Sequence, residues 1–316
     1  MKRVNIFVIL LGILVGAIAL LEGSLRYVGF GNPLLYQADP EMGYILSPNQ
    51  NVRRMNKQIL INNYSMRSDS VVNKRPENTL RIFLLGDSIA NGGWWTDQEE
   101  TISSLIQKHL KNSKYSQIEV LNASANSWGP RNQLAYLKRY GLFDSQVVIL
   151  LLNTDDFFSS LPSSEKVGND INYPNHKPAL AISELLNRYL PSAKTTKDNS
   201  PKLKEKDNEK NNLAAIQDIY QVCQTNQAQL IIAVTPLLRE VEQSSKDYEQ
   251  RAKKRLTEFT QSQSIPLIDF LPRFKQINPP NSIYRDTIHI TPDGNQIVSK
   301  TLIEEIDKII KEKNDD

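Results

Sequence analysis

Two short segments near opposite ends of the chain carry residue types that together can move an acyl group. The first is Leu84-Leu85-Gly86-Asp87-Ser88-Ile89-Ala90-Asn91-Gly92, in which an apolar run stops at a serine flanked by glycines. Such a serine stands at the carboxyl end of a strand, where open α/β sheets build their sites. Gly86 permits a sharp turn, Gly92 lets the loop bend back, and the N–H groups after the serine can face a developing oxyanion. An ordinary strand-to-helix cap reads the same way, and a Gly-Asp-Ser triplet alone arises by chance about once in ten chains of this length. The serine needs partners.

A serine nucleophile requires a base, and the chain has 3 histidines, His109, His176 and His289. The surroundings of His109 predict an exposed helix, and those of His176 a Pro- and Asn-rich surface loop. His289 lies in Arg285-Asp286-Thr287-Ile288-His289-Ile290-Thr291-Pro292-Asp293-Gly294, ahead of a helix that Thr291 can cap and Pro292 can open. Asp286, one short turn upstream, can hold the imidazole in the tautomer that accepts the serine proton.

The elements that must bring these segments together alternate regularly. Strand patterns at 80–85, 118–121 and 147–152 are separated by helical patterns at 101–110 and 133–140. The series continues with helix 213–227, strand 230–234, helix 248–262, strand 266–270 and helix 293–311. This alternation predicts a parallel sheet with helices on both faces. Residues 29–79, rich in Asn, Pro and Gly with short β-prone pieces such as Gln58-Ile59-Leu60-Ile61, predict an irregular lead-in with a hairpin, packed on the main domain of residues 80–316. The polar stretch at 192–212 reads as a disordered insertion, because it holds too little apolar surface to offset its ordering entropy.

Lys plus Arg total 38 against 35 Asp plus Glu, a net charge of +3 that argues against a nucleic-acid partner. The 1 cysteine, Cys223, excludes an intramolecular disulfide and a thiolate metal cluster. Residues 1–28 hold an apolar run from Val4 to Leu21 that would rise about 27 Å as a helix, near the ~30 Å hydrocarbon core. Lys2 and Arg3 predict a cytoplasmic start, with the remainder exported to the periplasmic or extracellular side. Ala17-Ile18-Ala19 leaves a cleaved signal, and hence secretion, as the alternative.

The paired segments, GDSIANG and DTIHITPDG, resemble the first and last blocks of the SGNH, or GDSL-type, hydrolase superfamily, over roughly Leu80 to Lys311. Ile89 replaces the leucine of the nickname. The resemblance implies a flavodoxin-like three-layer α/β/α fold, here preceded by a transmembrane helix, and ester hydrolysis or acyl transfer without metal or cofactor. It implies Ser88 as nucleophile, His289 as base and Asp286 as its orienter. The second block resembles Val120 to Pro130, where Ser127 or Gly129 takes the place of the glycine whose N–H binds the oxyanion, alongside the N–H of Ser88. The third block, usually Gly-x-Asn-Asp, reads Asn153-Thr154-Asp155-Asp156, which puts Asp155 in the register of the oxyanion-binding asparagine. An ionised carboxylate there would repel the developing charge; Asn153 is the other donor, or Asp155 is protonated or turned away.

The expected protein is a membrane-anchored, exported serine esterase or acyltransferase acting on an ester-bearing envelope polysaccharide or lipid. The competing reading is a carbohydrate-binding or polysaccharide-assembly protein that keeps the fold without catalysis, for which Asp155 is the main support. Trp94, Trp95 and Trp128 all fall in segments expected near the site, as sugar platforms or as core.

Overall fold

The computed structural model describes residues 6–110, 114–190 and 205–315. Helix α1 (Ile6–Tyr27) is followed by two antiparallel hairpins, β1 (Tyr36–Asp39) with β2 (Gly43–Leu46) and β3 (Gln50–Arg54) with β4 (Lys57–Ile61). Then come β5 (Thr79–Gly86), α2 (Ser88–Asn91), α3 (Ile102–His109), β6 (Gln117–Ser124), α4 (Pro130–Tyr140) and β7 (Val147–Asn153). The chain continues through α5 (Ala181–Tyr189), α6 (Glu205–Thr225), β8 (Gln229–Thr235), α7 (Leu238–Glu242), α8 (Asp247–Ser262), β9 (Leu267–Asp269), α9 (Leu271–Phe274) and α10 (Pro292–Asp315).

The last five strands form one parallel sheet in the order β6-β5-β7-β8-β9. This is the expected α/β architecture, and its strand order reverses between β5 and β7, the place where open parallel sheets leave a crevice at their carboxyl ends. Every residue of β5 and of β7 is buried, which is why Ile82–Leu85 and Val147–Leu152 read as continuous apolar runs rather than alternating ones. Their odd and even residues feed two cores. Phe83, Leu85, Val148 and Leu150 point to the layer holding the hairpins, α4, α6 and α8. Leu84, Ile149 and Leu151 point to the layer holding α2, α3, α9 and α10.

The lead-in contains two hairpins where the sequence indicated one, and their Tyr36, Met42, Leu46 and Ile59 join the first core. A clearer difference lies at α6. Its first turns fall inside the stretch read as disordered, whose residues 192–204 lie outside the described residues. Asn208, Glu209 and Asn212 are buried. The Asn212 amide donates to the carbonyls of Phe157 and Ser159, both at 3.0 Å, and Arg131 donates to Asn212 and Asn208 at 3.0 and 3.1 Å. These turns are held by buried amides rather than apolar area, a stabilisation that composition does not reveal.

Helix α1 has no buried residue, and with mean hydropathy 2.6 over its most apolar window it is long and apolar enough to cross a membrane. Lys2 and Arg3, on which its orientation was read, lie outside the described residues.

Gly86 ends β5 under close approach: a Cβ there would lie 2.4 Å from Ala90 Cβ and 3.1 Å from the Leu151 carbonyl oxygen. Gly86→Ala is therefore expected to lose about 1–3 kcal/mol in urea unfolding, by forcing α2 off the sheet.

Candidate active site

Strand β5 delivers Ser88 to the first position of α2, with the Asp87 side chain capping that turn by accepting the Ile89 N–H at 2.8 Å. Ser88 is only 7% exposed. On the far side of the chain, Thr291 N–H bonds the Ile283 carbonyl and Arg285 N–H bonds the His289 carbonyl at 2.8 Å, folding 283–291 into a tight loop before α10. That loop presents His289. Its Nε2 lies 2.8 Å from Ser88 Oγ, and its Nδ1 lies 2.8 Å from Asp286 Oδ2.

Asp286 Oδ1 also accepts the backbone N–H groups of Ile288 and His289, at 2.9 and 2.8 Å. Partial burial alone would raise the Asp286 pKa, but these N–H groups and the imidazole outweigh it and hold the carboxyl below its usual range. An anion so held favours the tautomer with hydrogen on Nδ1, leaving Nε2 to take the serine proton. His109 and His176 are exposed and away from this cluster.

The five residues weighed for the oxyanion separate in space. Ser88 and Ser127 line one cavity of about 370 Å³ together with His289; Gly129, Asn153 and Asp155 do not. Among the described residues, the N–H groups of Ser88 and Ser127 have no protein acceptor. Ser127 adopts φ +57°, the left-handed conformation that glycine takes most easily. Its Oγ accepts a 2.8 Å bond from the Tyr173 hydroxyl, which anchors the residue in that shape. Gly129 instead serves packing: a Cβ on it would meet Ser159 Oγ at 1.9 Å.

The third segment is a scaffold. Asn153 donates its side-chain amide to Asp87 Oδ2 at 2.6 Å and its N–H to Asp156 Oδ2 at 2.9 Å, and its Oδ1 accepts the Asp155 N–H at 2.7 Å. Its amide is thus committed to the residue beneath the serine. Asp155 is solvent-exposed at the start of a short 3-10 turn and is not among the residues that line the cavity.

Sequence reasoning missed much of the wall. Buried Arg67 donates to the carbonyls of Asn91, Gly93 and Thr96 at 2.5–2.6 Å, clamping the loop that carries Trp94 and Trp95. Both tryptophans line the cavity, with Trp95 packed edge-on against His289 at 4.7 Å. Trp128 does not: it is 1% exposed, in the first core, with its indole N–H on the Tyr44 carbonyl. Asn126, Arg54, Arg188 and the loop residues Lys166, Asp170 and Tyr173 also line the cavity. No local motif marks Arg54, Arg67, Lys166, Asp170 or Tyr173, and only folding brings them near.

The family model described as GDSL-like Lipase/Acylhydrolase matches residues 84–297. The chain belongs to that family. It is accordingly an ester-bond hydrolase. Among solved structures it is similar to the acetyl xylan esterase AlAXEase, at 16% identity over 72% of this chain and 100% of that one, with TM-score 0.48. It is also similar to the psychrotrophic esterase EstA from Pseudoalteromonas sp., at 14% identity over 74% and 100% of the two chains, TM-score 0.45. A catalytic mutant of the acetylxylan esterase Axe2 from Geobacillus stearothermophilus matches at 12% identity over 72% and 94%, TM-score 0.45. No curated protein sequence matches this one.

Beneath Ser88, burial raises the Asp87 pKa, and burial together with the Asp87 charge raises that of Asp156 well above the usual carboxyl range. A carboxyl whose folded pKa exceeds its unfolded value adds stability below the unfolded pKa and loses it as pH rises through the folded one. Asp156→Asn keeps an acceptor for the Asn153 N–H and removes that loss. Its unfolding free energy is therefore expected to fall less than the parent's between the ordinary carboxyl range and alkaline pH, measured by urea titration across pH.

Proposed function

We propose that the chain is a membrane-anchored, exported serine esterase in which Ser88 attacks an ester carbonyl, His289 accepts its proton and Asp286 holds the ring. The observation that carries this reading is the continuous hydrogen-bonded path from Ser88 Oγ through His289 to Asp286, 2.8 Å at each step. As Oγ bonds to the carbonyl carbon, its proton passes to Nε2. The N–H groups of Ser88 and Ser127 are the donors for the oxyanion, since both residues line the cavity and neither N–H has a protein acceptor among the described residues. The tetrahedral adduct collapses with His289 returning the proton to the leaving alcohol, and water, or a sugar hydroxyl in the transfer variant, then releases the acyl group by the same relay.

The substrate we favour is a short-chain acyl ester on an envelope polysaccharide. Trp94 and Trp95 support it as half-buried rings in the wall of the cavity that holds Ser88 and His289, and the exposed apolar α1 supports a place at a membrane with the folded domain exported. The carboxylate that would favour a non-catalytic binding protein, Asp155, stands outside the cavity wall.

Purified protein is expected to hydrolyse p-nitrophenyl acetate and to be labelled at Ser88 by a fluorophosphonate. Ser88→Ala should abolish both, and His289→Ala should lower kcat by about 10²–10⁴-fold. Equal background rates for parent and Ser88→Ala would overturn the assignment. Tyr173→Phe, which frees Ser127 from its anchor, should lower kcat more than it raises KM, read from steady-state kinetics, because the oxyanion forms only in the transition state.

A further inference from the structure

Helix α5 is amphipathic with its polarity turned inside out. At ~100° per residue, Ala181, Glu184 and Arg188 share one face, and Ile182, Leu186 and Tyr189 share another. The charged face is the buried one. Glu184 accepts from Arg54 at 2.7 Å, from Arg188 at 2.9 Å and from the Gly31 N–H at 2.7 Å. The apolar face looks outward: Leu186 is 46% exposed, Tyr189 72% and the following Leu190 58%. A soluble surface would be expected to carry the reverse.

The same helix is fastened to α1. Glu22 accepts the N–H groups of Ala181 and Ile182, at 2.9 and 3.0 Å, and Arg26 donates to the Ala179 carbonyl at 2.9 Å. Glu22 immediately follows Leu21, the last residue of the apolar run. If α1 spans a bilayer, Glu22 marks the edge of its hydrocarbon, and the start of α5 is pinned at that depth.

We propose that α5 lies on the lipid surface beside the exit of α1, with Ile182, Leu186, Tyr189 and Leu190 set into the headgroup and acyl boundary. This rests on the reading of α1 as a membrane span. The occupant is lipid because the exposed apolar residues of α5 adjoin the exposed apolar helix α1, and because the hydrogen bonds that Glu22 accepts fix the two at one level. A short helix with an apolar face and a tyrosine suits that boundary. Arg188 on the opposite face lines the cavity, so the element resting on lipid is also a wall of the site, and an acyl ester held at the membrane surface is presented next to it.

The test uses the full chain in vesicles of phosphatidylethanolamine and phosphatidylglycerol, with a bimane label on single introduced cysteines; native Cys223 is buried and stays unlabelled. Leu14→Cys reports on α1, Leu186→Cys on α5, and Lys300→Cys on the exposed face of α10 beyond the sheet. The expected result is quenching by doxyl-labelled lipid at 14 and 186, several-fold above that at 300, with iodide quenching only at 300. Lipid quenching at 14 with iodide quenching at 186 overturns the α5 proposal alone. Iodide quenching at 14 overturns the span reading instead. Protection at 186 from both quenchers, with self-association of the labelled chain, marks a protein contact and also overturns the proposal.

Discussion

Ser88 and His289 stand 201 positions apart in the chain and 2.8 Å apart in space, and the rest of the structure is organised around closing that distance. A hydrogen bond of this kind tolerates little displacement, so both residues must be held by rigid elements rather than by each other. Ser88 is fixed by the fully buried β5 and the capped turn of α2. His289 is fixed by α10, whose Val298, Leu302 and Ile306 share a core with the sheet and α3. The Asn295 amide donates to the Glu100 carbonyl at 2.9 Å and ties the start of α10 to the turn before α3.

Two polar networks keep the nucleophile turn in place from below and from the side. Asn153 joins the ends of β5 and β7 by bonding Asp87, and Asp156 closes the same turn. Arg67, with no exposed surface, reaches three carbonyls of the following loop and so fixes the two tryptophans. Each network depends on full satisfaction of its buried donors, which makes the turn stiff as well as specific. The segment that family resemblance assigned to oxyanion binding bonds the nucleophile turn from below through Asn153, while Ser88 and Ser127 line the cavity.

The order of strands and helices was legible because parallel strands buried on both faces give unbroken apolar runs, and amphipathic helices keep their period. Ser88, Asp286 and His289 were legible for a different reason: each lies in a local turn whose glycines, proline and caps are written next to it. Less of the wall could be read. Trp94, Trp95 and Trp128 are alike on paper, yet Trp128 is core and the other two face the cavity, because only the path of the loop decides where a ring points. Asp155 is close in sequence to the site and turned from it, since the Asn153 caps set the direction of the short helix. The start of α6 was hidden because its stability comes from amides bonded to distant carbonyls.

The letters alone determined the sheet, its helices, an apolar N-terminal helix and the two turns that carry Ser88, Asp286 and His289, since all of these rest on local periodicity and turn chemistry. The tertiary structure alone decided which second-block residue and which aromatic rings line the cavity, and that a charged face of α5 is buried while its apolar face looks out. Those outcomes depend on contacts between residues far apart in the chain, and such contacts leave no periodic mark on a sequence.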